Sequence, residues 1–448
     1  MNEAGVHYMA GNYERGVTVS HLIWGGVDCV ELAKRFGTPL YVIDETVVRA
    51  RCAEVRKEFL ERWPGTRASY ASKAFLTRTM ARIIDQEGLG LDVVSLGELR
   101  IALAAGFPPD RIEMNGNAKS EEELDAALSS GVGRIIVDSL TELEVLADKA
   151  EAAGKTAPVL LRVAPGVDAH THAFIATGKT GSKFGLPIDG PMLSHAVRLT
   201  QERKGLDLLG LHFHVGSQLF SPEDHVRSLT RVIEAASRLR DELGFELREL
   251  NVGGGQGAKL NPSEPHVPMG PFMDEIMEAL KRECAAHKLP CPNVSIEPGR
   301  WIISEAGITL YRVETVKELP DVVYVAVDGG MSDNPRHPLY DALYEATVVE
   351  RADAPADGWE GRKVSVVGKC CESGDVFIED AHLPRVERGD LLALYNSGAY
   401  TYSMASNYNA LGRPAVVLVG DGRAELIVAR QTPEDLLRGD IIPNRLGA

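Results

Sequence analysis

The sequence predicts an α/β protein, a (β/α)8 TIM barrel followed by a separate C-terminal β domain. Three observations carry this expectation. Amphipathic helical stretches alternate with short β-rich runs from about residue 44 onward, the β-rich runs number eight, and after Ser304 the helical rhythm gives way to closely spaced strand-like runs. The 448 residues exceed what one hydrophobic core organises, and with 44% hydrophobic residues there is material for two.

The first helix, 45–62, follows Asp44 as N-cap and repeats its apolar residues at Val48, Cys52, Val55 and Phe59. Strand candidates come next in order at 67–73, 89–95, 111–116, 134–138, 158–164, 207–214, 247–253 and 293–297. Between them lie helical stretches at 76–86, 97–105, 120–130, 140–153, 190–203, 222–243 and 271–287. Eight strands separated by helices over about 250 residues point to a closed barrel, with an open doubly wound sheet as the structural alternative. Beyond residue 304 the runs GITLYRVETV, VVYVAVDG, EATVVE, KVSVVG, DVFIED, DLLALY, AVVLVG and AELIVAR are divided by Gly, Pro and Asp, as strands are. The domains expected are a barrel over 45–304 and a β domain over 305–448, joined by the N-terminal segment 1–44, where VTVSHLIWGGV is strand-like.

Composition excludes several partners. A net charge of −16 leaves no basic face for a nucleic-acid backbone. The six cysteines, at 29, 52, 284, 291, 370 and 371, form no CxxC or His/Cys metal spacing and read as reduced thiols of a cytoplasmic protein. The start MNEAGVHYMAGNY lacks the basic and apolar parts of a signal peptide, and no apolar run reaches membrane-spanning length.

In barrel enzymes the reactive groups stand at the C-terminal ends of the strands. That rule selects Lys73 on strand one, Asp92 and Ser95 on strand two, Asn115 and Asn117 on strand three, and Arg162 on strand five. It also selects His212 and His214 on strand six, Gly253–Gly255 after strand seven and Glu297–Arg300 after strand eight. Lys73 sits in YASKA between small residues; taken alone, a strand-end lysine is more often a solvated rim residue, but in a barrel mouth a desolvated amine can attack an aldehyde. The loops GGGQG, 253–257, and EPGR, 297–300, offer unshielded backbone N–H groups where barrels hold phosphate, with Ser217 as a further donor; a tight turn is the plainer reading. Without GxxxxGK[ST], a nucleotide P-loop is not indicated. Glu297 suits the protonated nitrogen of a pyridine ring, or a salt bridge to Arg300. His214 suits stacking on such a ring; the HxH pair with His212 also suits a metal, but no third ligand is evident and no metal is expected. In CCESGD, Cys371 beside Glu372 offers a proton donor and a carboxylate for a substrate ammonium, or else a turn around a cysteine.

Taken in order, YASKA, HFHVGSQ, NVGGGQG, EPGR, DGGMSDNPRHPLY, CCESGD and SGAY resemble the motifs of the diaminopimelate decarboxylases, over about residues 17–430. The resemblance implies a fold type III, alanine-racemase-like enzyme that binds pyridoxal 5'-phosphate and works as a homodimer with shared sites. It implies Lys73 as the lysine that carries the cofactor as a Schiff base, His214 on the ring, Glu297 on the pyridine nitrogen, and Ser217, Gly255, Gly299 and Arg300 around the phosphate, with Tyr400 also touching cofactor. Substrate contacts would be Arg300, Arg336, Tyr340, Glu372 and Tyr400, and Cys371 would protonate Cα from the partner subunit. The segment HTHAFIATGKTGSKFG, 170–185, is similar to the family's loop beside the substrate. The implied reaction is decarboxylation of meso-2,6-diaminopimelate to L-lysine, the last step of lysine biosynthesis. Departures are His337 where proline often follows the arginine, Ala118 in place of a second asparagine, and Cys370 before Cys371. The alternatives weighed are a related decarboxylase for ornithine, arginine, lysine, carboxynorspermidine or a carrier-tethered amino acid, an alanine-type racemase, and a non-catalytic cofactor-binding protein.

Overall fold

The computed structural model describes residues 20–167, 182–260, 264–356 and 358–447. Among these, the residues of Arg49–Lys259 and Pro265–Ile302 form one compact unit, and those of Met1–Val48, Leu260–Glu264 and Ile303–Ala448 form another.

The first unit is a closed parallel barrel of eight strands: β1 Thr66–Ala71, β2 Gly90–Val93, β3 Ile112–Met114, β4 Arg134–Val137, β5 Ala157–Ala164, β6 Leu206–His212, β7 Glu249–Asn251 and β8 Asn293–Ile296. Neighbours in sequence are neighbours in the sheet, and β8 pairs with β1, placing Ile296 opposite Ala68, so no edge is left open. Each strand falls within two or three residues of its sequence-derived bounds, and the open-sheet alternative is set aside. The strands are short and apolar because a barrel wall is buried on both faces: Leu91, Ile112, Met114, Ile136, Leu160 and Leu211 are all inaccessible to solvent.

Several of the barrel helices begin at side-chain caps. Ser95, Ser120 and Ser139 each accept a hydrogen bond from the backbone N–H three residues on, starting Leu96–Ala104, Glu121–Ser130 and Leu140–Ala152. Ser95, read from sequence as a strand-end site residue, is thus engaged in capping. The first helix is Glu45–Val55, continued as a π-turn over Arg56–Leu60, and its apolar repeat Val48, Cys52, Val55 and Phe59 is fully buried.

The second unit is a β unit ordered around a strand, Leu40–Asp44, that pairs antiparallel with Gly307–Glu318 and parallel with Ala415–Gly420. Among the described residues, the strand-like N-terminal stretch contributes the two-residue pieces Ile23–Trp24 and Val27–Asp28; the sheet is entered by PLYVID further along. Two apolar clusters fill this unit, one around Tyr311, Val325, Trp359 and Phe377, the other around Leu32, Val42, Leu310 and Val417.

Candidate active site

The C-terminal mouth of the barrel collects a buried polar layer. Lys73 follows β1 in a single 3-10 turn, Ser72–Ala74, which lifts its side chain off the wall. Its Nζ stands 3.5 Å from Asp92 Oδ2, with the lysine side chain 38% exposed and the aspartate fully buried. Asp92 Oδ1 accepts from Asn115 Nδ2 at 2.6 Å, and the same amide nitrogen donates to Glu297 Oε1 at 3.0 Å. Glu297 lies just past β8 and also receives Asn251 Nδ2 at 2.9 Å and His212 Nε2 at 3.1 Å. Asn251, at the end of β7, donates its second amide proton to Glu113 Oε2 at 2.9 Å and accepts Gly253 N–H on Oδ1 at 2.8 Å.

Three carboxylates therefore share one desolvated layer, and their environments push them apart. Burial works against the charge on Glu297, but the adjoining His212, by charge and hydrogen bond, and then Lys73 hold that carboxyl well below the usual range. Burial and the Glu297 charge raise Asp92, against the opposing pull of Lys73. Glu113 is pushed up to about 8 by burial and by the Glu297 charge. The arrangement favours the charge on Glu297, at the centre, and disfavours it on its neighbour Glu113.

The glycine run after β7 is clamped from both sides. Gly254 N–H donates to His214 Nδ1 at 3.2 Å, Gly254 O accepts from His225 Nε2 at 3.0 Å, and Leu219 N–H donates to Gly255 O at 2.9 Å. A side chain is excluded here: a Cβ on Gly254 would lie 2.0 Å from Glu297 O, and one on Gly255, at φ +107°, 2.1 Å from Gly216 O. His214, which accepts at Nδ1, is held far below its ordinary pKa by loss of water and by the positive charges of Lys73 and Arg162, so its ring is neutral. Arg300 opens a short helix, Arg300–Ile303, and its Nε reaches Ser217 Oγ at 3.4 Å. Glu297 is satisfied by two asparagines and a histidine rather than by Arg300, which sets aside the salt bridge read from spacing. Gly299 packs where a Cβ would meet Ala71 Cβ at 2.9 Å.

Of the other strand-end residues, Arg162 is buried, 4.4 Å over the Phe184 ring and 3.7 Å from Asp138, and Asn117 is exposed in a turn. Most of the 170–185 loop falls outside the described residues. Asn251 and Glu113 were not singled out from sequence, although an amide ending a strand two residues before GGGQG, and a lone carboxylate within the apolar run of β3, were available signals.

The remaining candidates lie in the second unit. Arg336, 7% exposed, begins a one-turn helix and places its guanidinium 5.0 Å from the centre of the Tyr340 ring and 5.4 Å from that of Tyr400. Tyr400 adopts φ 59°, a left-handed turn that presents its ring to the arginine. In CCESGD the two thiols part company: Cys370 is buried, with its N–H on Asp375 Oδ2 at 2.8 Å, whereas Cys371 is exposed, with its N–H on Asn409 Oδ1 at 2.7 Å. Glu372 is exposed, and its Oε1 accepts Gly374 N–H at 3.2 Å.

Residues 46–304 match the family model of the pyridoxal-dependent decarboxylases, pyridoxal binding domain. The diaminopimelate decarboxylase of Bacillus subtilis is 43% identical over 422 residues, covering 94% of this chain and 95% of the relative. The chain belongs to the diaminopimelate decarboxylase family. That of Actinosynnema pretiosum is 45% identical over 443 residues, 98% of this chain and 96% of its own. The crystal structure of diaminopimelate decarboxylase from M. jannaschii in complex with L-lysine superposes with a TM-score of 0.86 at 34% identity, covering 94% of this chain and 95% of that one. Membership gives the alanine-racemase-like fold a family setting and directs attention to the barrel mouth.

Proposed function

We infer that this chain is a carboxy-lyase that decarboxylates meso-2,6-diaminopimelate to L-lysine and CO2 with pyridoxal 5'-phosphate, the last step of lysine biosynthesis. The observation that carries the reading is the buried, ionised Glu297 at the same mouth as Lys73 and the clamped glycine loop. The donor set fits the cofactor. An amine (Lys73) suits its aldehyde, an anion (Glu297) its ring nitrogen, a neutral imidazole (His214) its ring, and backbone N–H groups around Gly255 and Gly299 with Ser217 and Arg300 its phosphate. Pyridoxal phosphate, when bound, supplies an electron-poor ring that takes up the electron pair left on Cα as CO2 departs.

The residues divide the remaining work. Lys73 Nζ would hold the cofactor, and Asp92 at 3.5 Å stands where it can keep the Lys73 ammonium when that amine is free. Glu297, held as an anion, would favour a proton on a ring nitrogen bound beside it. The two arginines, Arg300 and Arg336, each present a planar fork to a carboxylate, matching a substrate that carries two. Tyr340 and Tyr400 fix the Arg336 plane, and Glu372 meets the distal ammonium. Cys371 delivers a proton to Cα; its exposure, against the burial of Cys370 and the upward push that burial gives the Cys370 thiol, supports it over its neighbour.

We further propose a cytoplasmic homodimer in which one subunit's barrel, 45–304, is completed by Cys371 and Glu372 from the partner's β domain, 305–448. The six free cysteines agree with a reducing compartment. The test is release of CO2 and formation of lysine from meso-diaminopimelate by the cofactor-loaded protein beside Lys73→Ala. Release from ornithine, arginine or lysine but not from diaminopimelate would refute the substrate assignment. For the shared site, mixed Lys73→Ala and Cys371→Ala proteins should regain activity above either parent after subunit exchange; failure to do so refutes complementation.

A further inference from the structure

The Asn251 amide is fully specified by its partners. Oδ1 accepts the Gly253 N–H at 2.8 Å, which fixes which end of the amide is oxygen. The two Nδ2 protons then go to Glu297 Oε1 and Glu113 Oε2, each at 2.9 Å. The residue is wholly buried at the end of β7, so water cannot substitute for a lost bond. One rigid side chain thus ties the first glycine of the phosphate-type loop to the carboxylate at the centre of the layer. Gly253 O in turn accepts the Glu297 N–H at 2.9 Å, closing a ring of contacts through backbone and side chain.

We propose that Asn251 is a positioning residue that couples the two ends of the cofactor site, setting the glycine loop through Gly253 and the ring-nitrogen contact through Glu297, with Glu113 as the second carboxyl that completes its amide. The inference rests on the pyridoxal-phosphate reading above. Glu297 Oε1 takes both asparagine amides and shares His212, while Oε2 has His212 alone among the described residues, so Asn251 and Asn115 together fix the carboxylate through Oε1. The groups that bear on Glu297 are Asp92 from β2, Glu113 from β3, Lys73 after β1, His212 and His214 at the end of β6, and Arg162 on β5.

The test uses two variants and two ligands. Asn251→Ala removes the acceptor and both donors; Asn251→Asp keeps the Oδ1 acceptor for Gly253 but puts an oxygen where Glu297 and Glu113 expect a donor. Apoprotein is titrated with pyridoxal phosphate and with pyridoxal, and the absorbance of the bound cofactor is followed against pH. Expected for Asn251→Ala are a pyridoxal phosphate Kd raised about tenfold or more, a reduced preference over pyridoxal, and an acid-side absorbance midpoint raised by about one pH unit, the size of one lost bond to a charged group. Asn251→Asp should keep the preference for the phosphorylated ligand and still move the midpoint. In a Glu297→Gln background neither substitution should move the midpoint further. The proposal is overturned if both variants keep the midpoint, or if their shifts persist undiminished in that background, as a merely structural role would give. A failure of the underlying reading looks different: Glu297→Gln alone would leave the midpoint in place, or Lys73→Ala would still yield a borohydride-trapped cofactor adduct.

Discussion

Glu249→Ala should loosen the barrel from the end opposite the site. Glu249 opens β7 with 7% exposure and accepts Arg134 Nε at 2.8 Å and Nη2 at 3.0 Å from the start of β4, while pairing with Arg67 near the start of β1. Removing the carboxylate strands the Arg134 guanidinium, whose side chain is 14% exposed. Breaking a buried pair costs about 3–5 kcal/mol. Arg67 is 37% exposed and screened, so its share stays below about 1 kcal/mol, and the expected total is near the lower end. At about 2–4 °C per kcal/mol, a 3 kcal/mol loss lowers the barrel's thermal midpoint by roughly 6–12 °C. The sign with pH follows from Glu249 itself: burial pushes it up, but the hydrogen bonds and charges of Arg134 and Arg67 leave it below its ordinary 4.5. A depressed carboxyl contributes stability that is fully present above the unfolded value and lost as pH falls through the folded one, so the gap between wild type and variant should narrow below pH 4.5. Melts by circular dichroism across pH 3.5–7 provide the measurement. A midpoint change under about 2 °C at neutral pH, or a gap that widens in acid, would refute the reasoning.

Gly254→Ala places a Cβ 2.0 Å from Glu297 O, so loop and carboxylate cannot both stay; cofactor affinity measured by fluorescence titration should fall about tenfold or more. Arg336→Lys keeps the charge but loses the planar fork between Tyr340 and Tyr400, and steady-state kinetics should show KM for diaminopimelate raised about tenfold with cofactor affinity unchanged. Cys371→Ala should lower kcat by about a hundredfold while leaving cofactor absorbance as in the wild type; the same result from Cys370→Ala instead would reassign the proton donor. Ser120→Ala removes half of a capping box, Ser120 with Glu123, and should cost about 1 kcal/mol in urea denaturation with no change in kinetics.

The barrel was legible because its signal is repeated and local. Each βα unit couples a short apolar run to a helix, several of them with a side-chain cap, so an error in one unit is corrected by the rhythm of the rest. Leu40–Asp44 was not legible as the strand on which the second unit's sheet is ordered, since five residues after a proline carry no periodicity and their partners lie at Gly307–Glu318 and Ala415–Gly420. Within the site, glycine runs and strand-end histidines announce themselves by residue type. Asn251 and Glu113 do not: an asparagine before a glycine run reads as turn chemistry, and a glutamate in a strand reads as surface until the closed barrel turns it inward. What sequence could not supply was which polar groups share one layer, because that depends on the stagger of strands whose residues, such as Asn251 and Glu113, stand 138 apart in the chain.

The contrast between Glu249 and Glu297 shows how the fold separates stability from chemistry using one residue type. Both sit at strand ends and both are almost fully buried, at 7% and 4% exposure. Glu249, at the N-terminal end of β7, is met by two guanidinium groups whose charges cannot be withdrawn, so its charge is consumed in a fixed pair. Glu297, past the C-terminal end of β8, is met by two uncharged amides and an imidazole, so its charge is oriented without being matched by a permanent cation. An anion held in this way can still favour a proton on a group placed opposite it. Exchanging the two surroundings would satisfy every buried carboxylate equally well and abolish the electron sink. The amides around Glu297 are therefore better explained by what the carboxylate must remain able to do than by the stability they add.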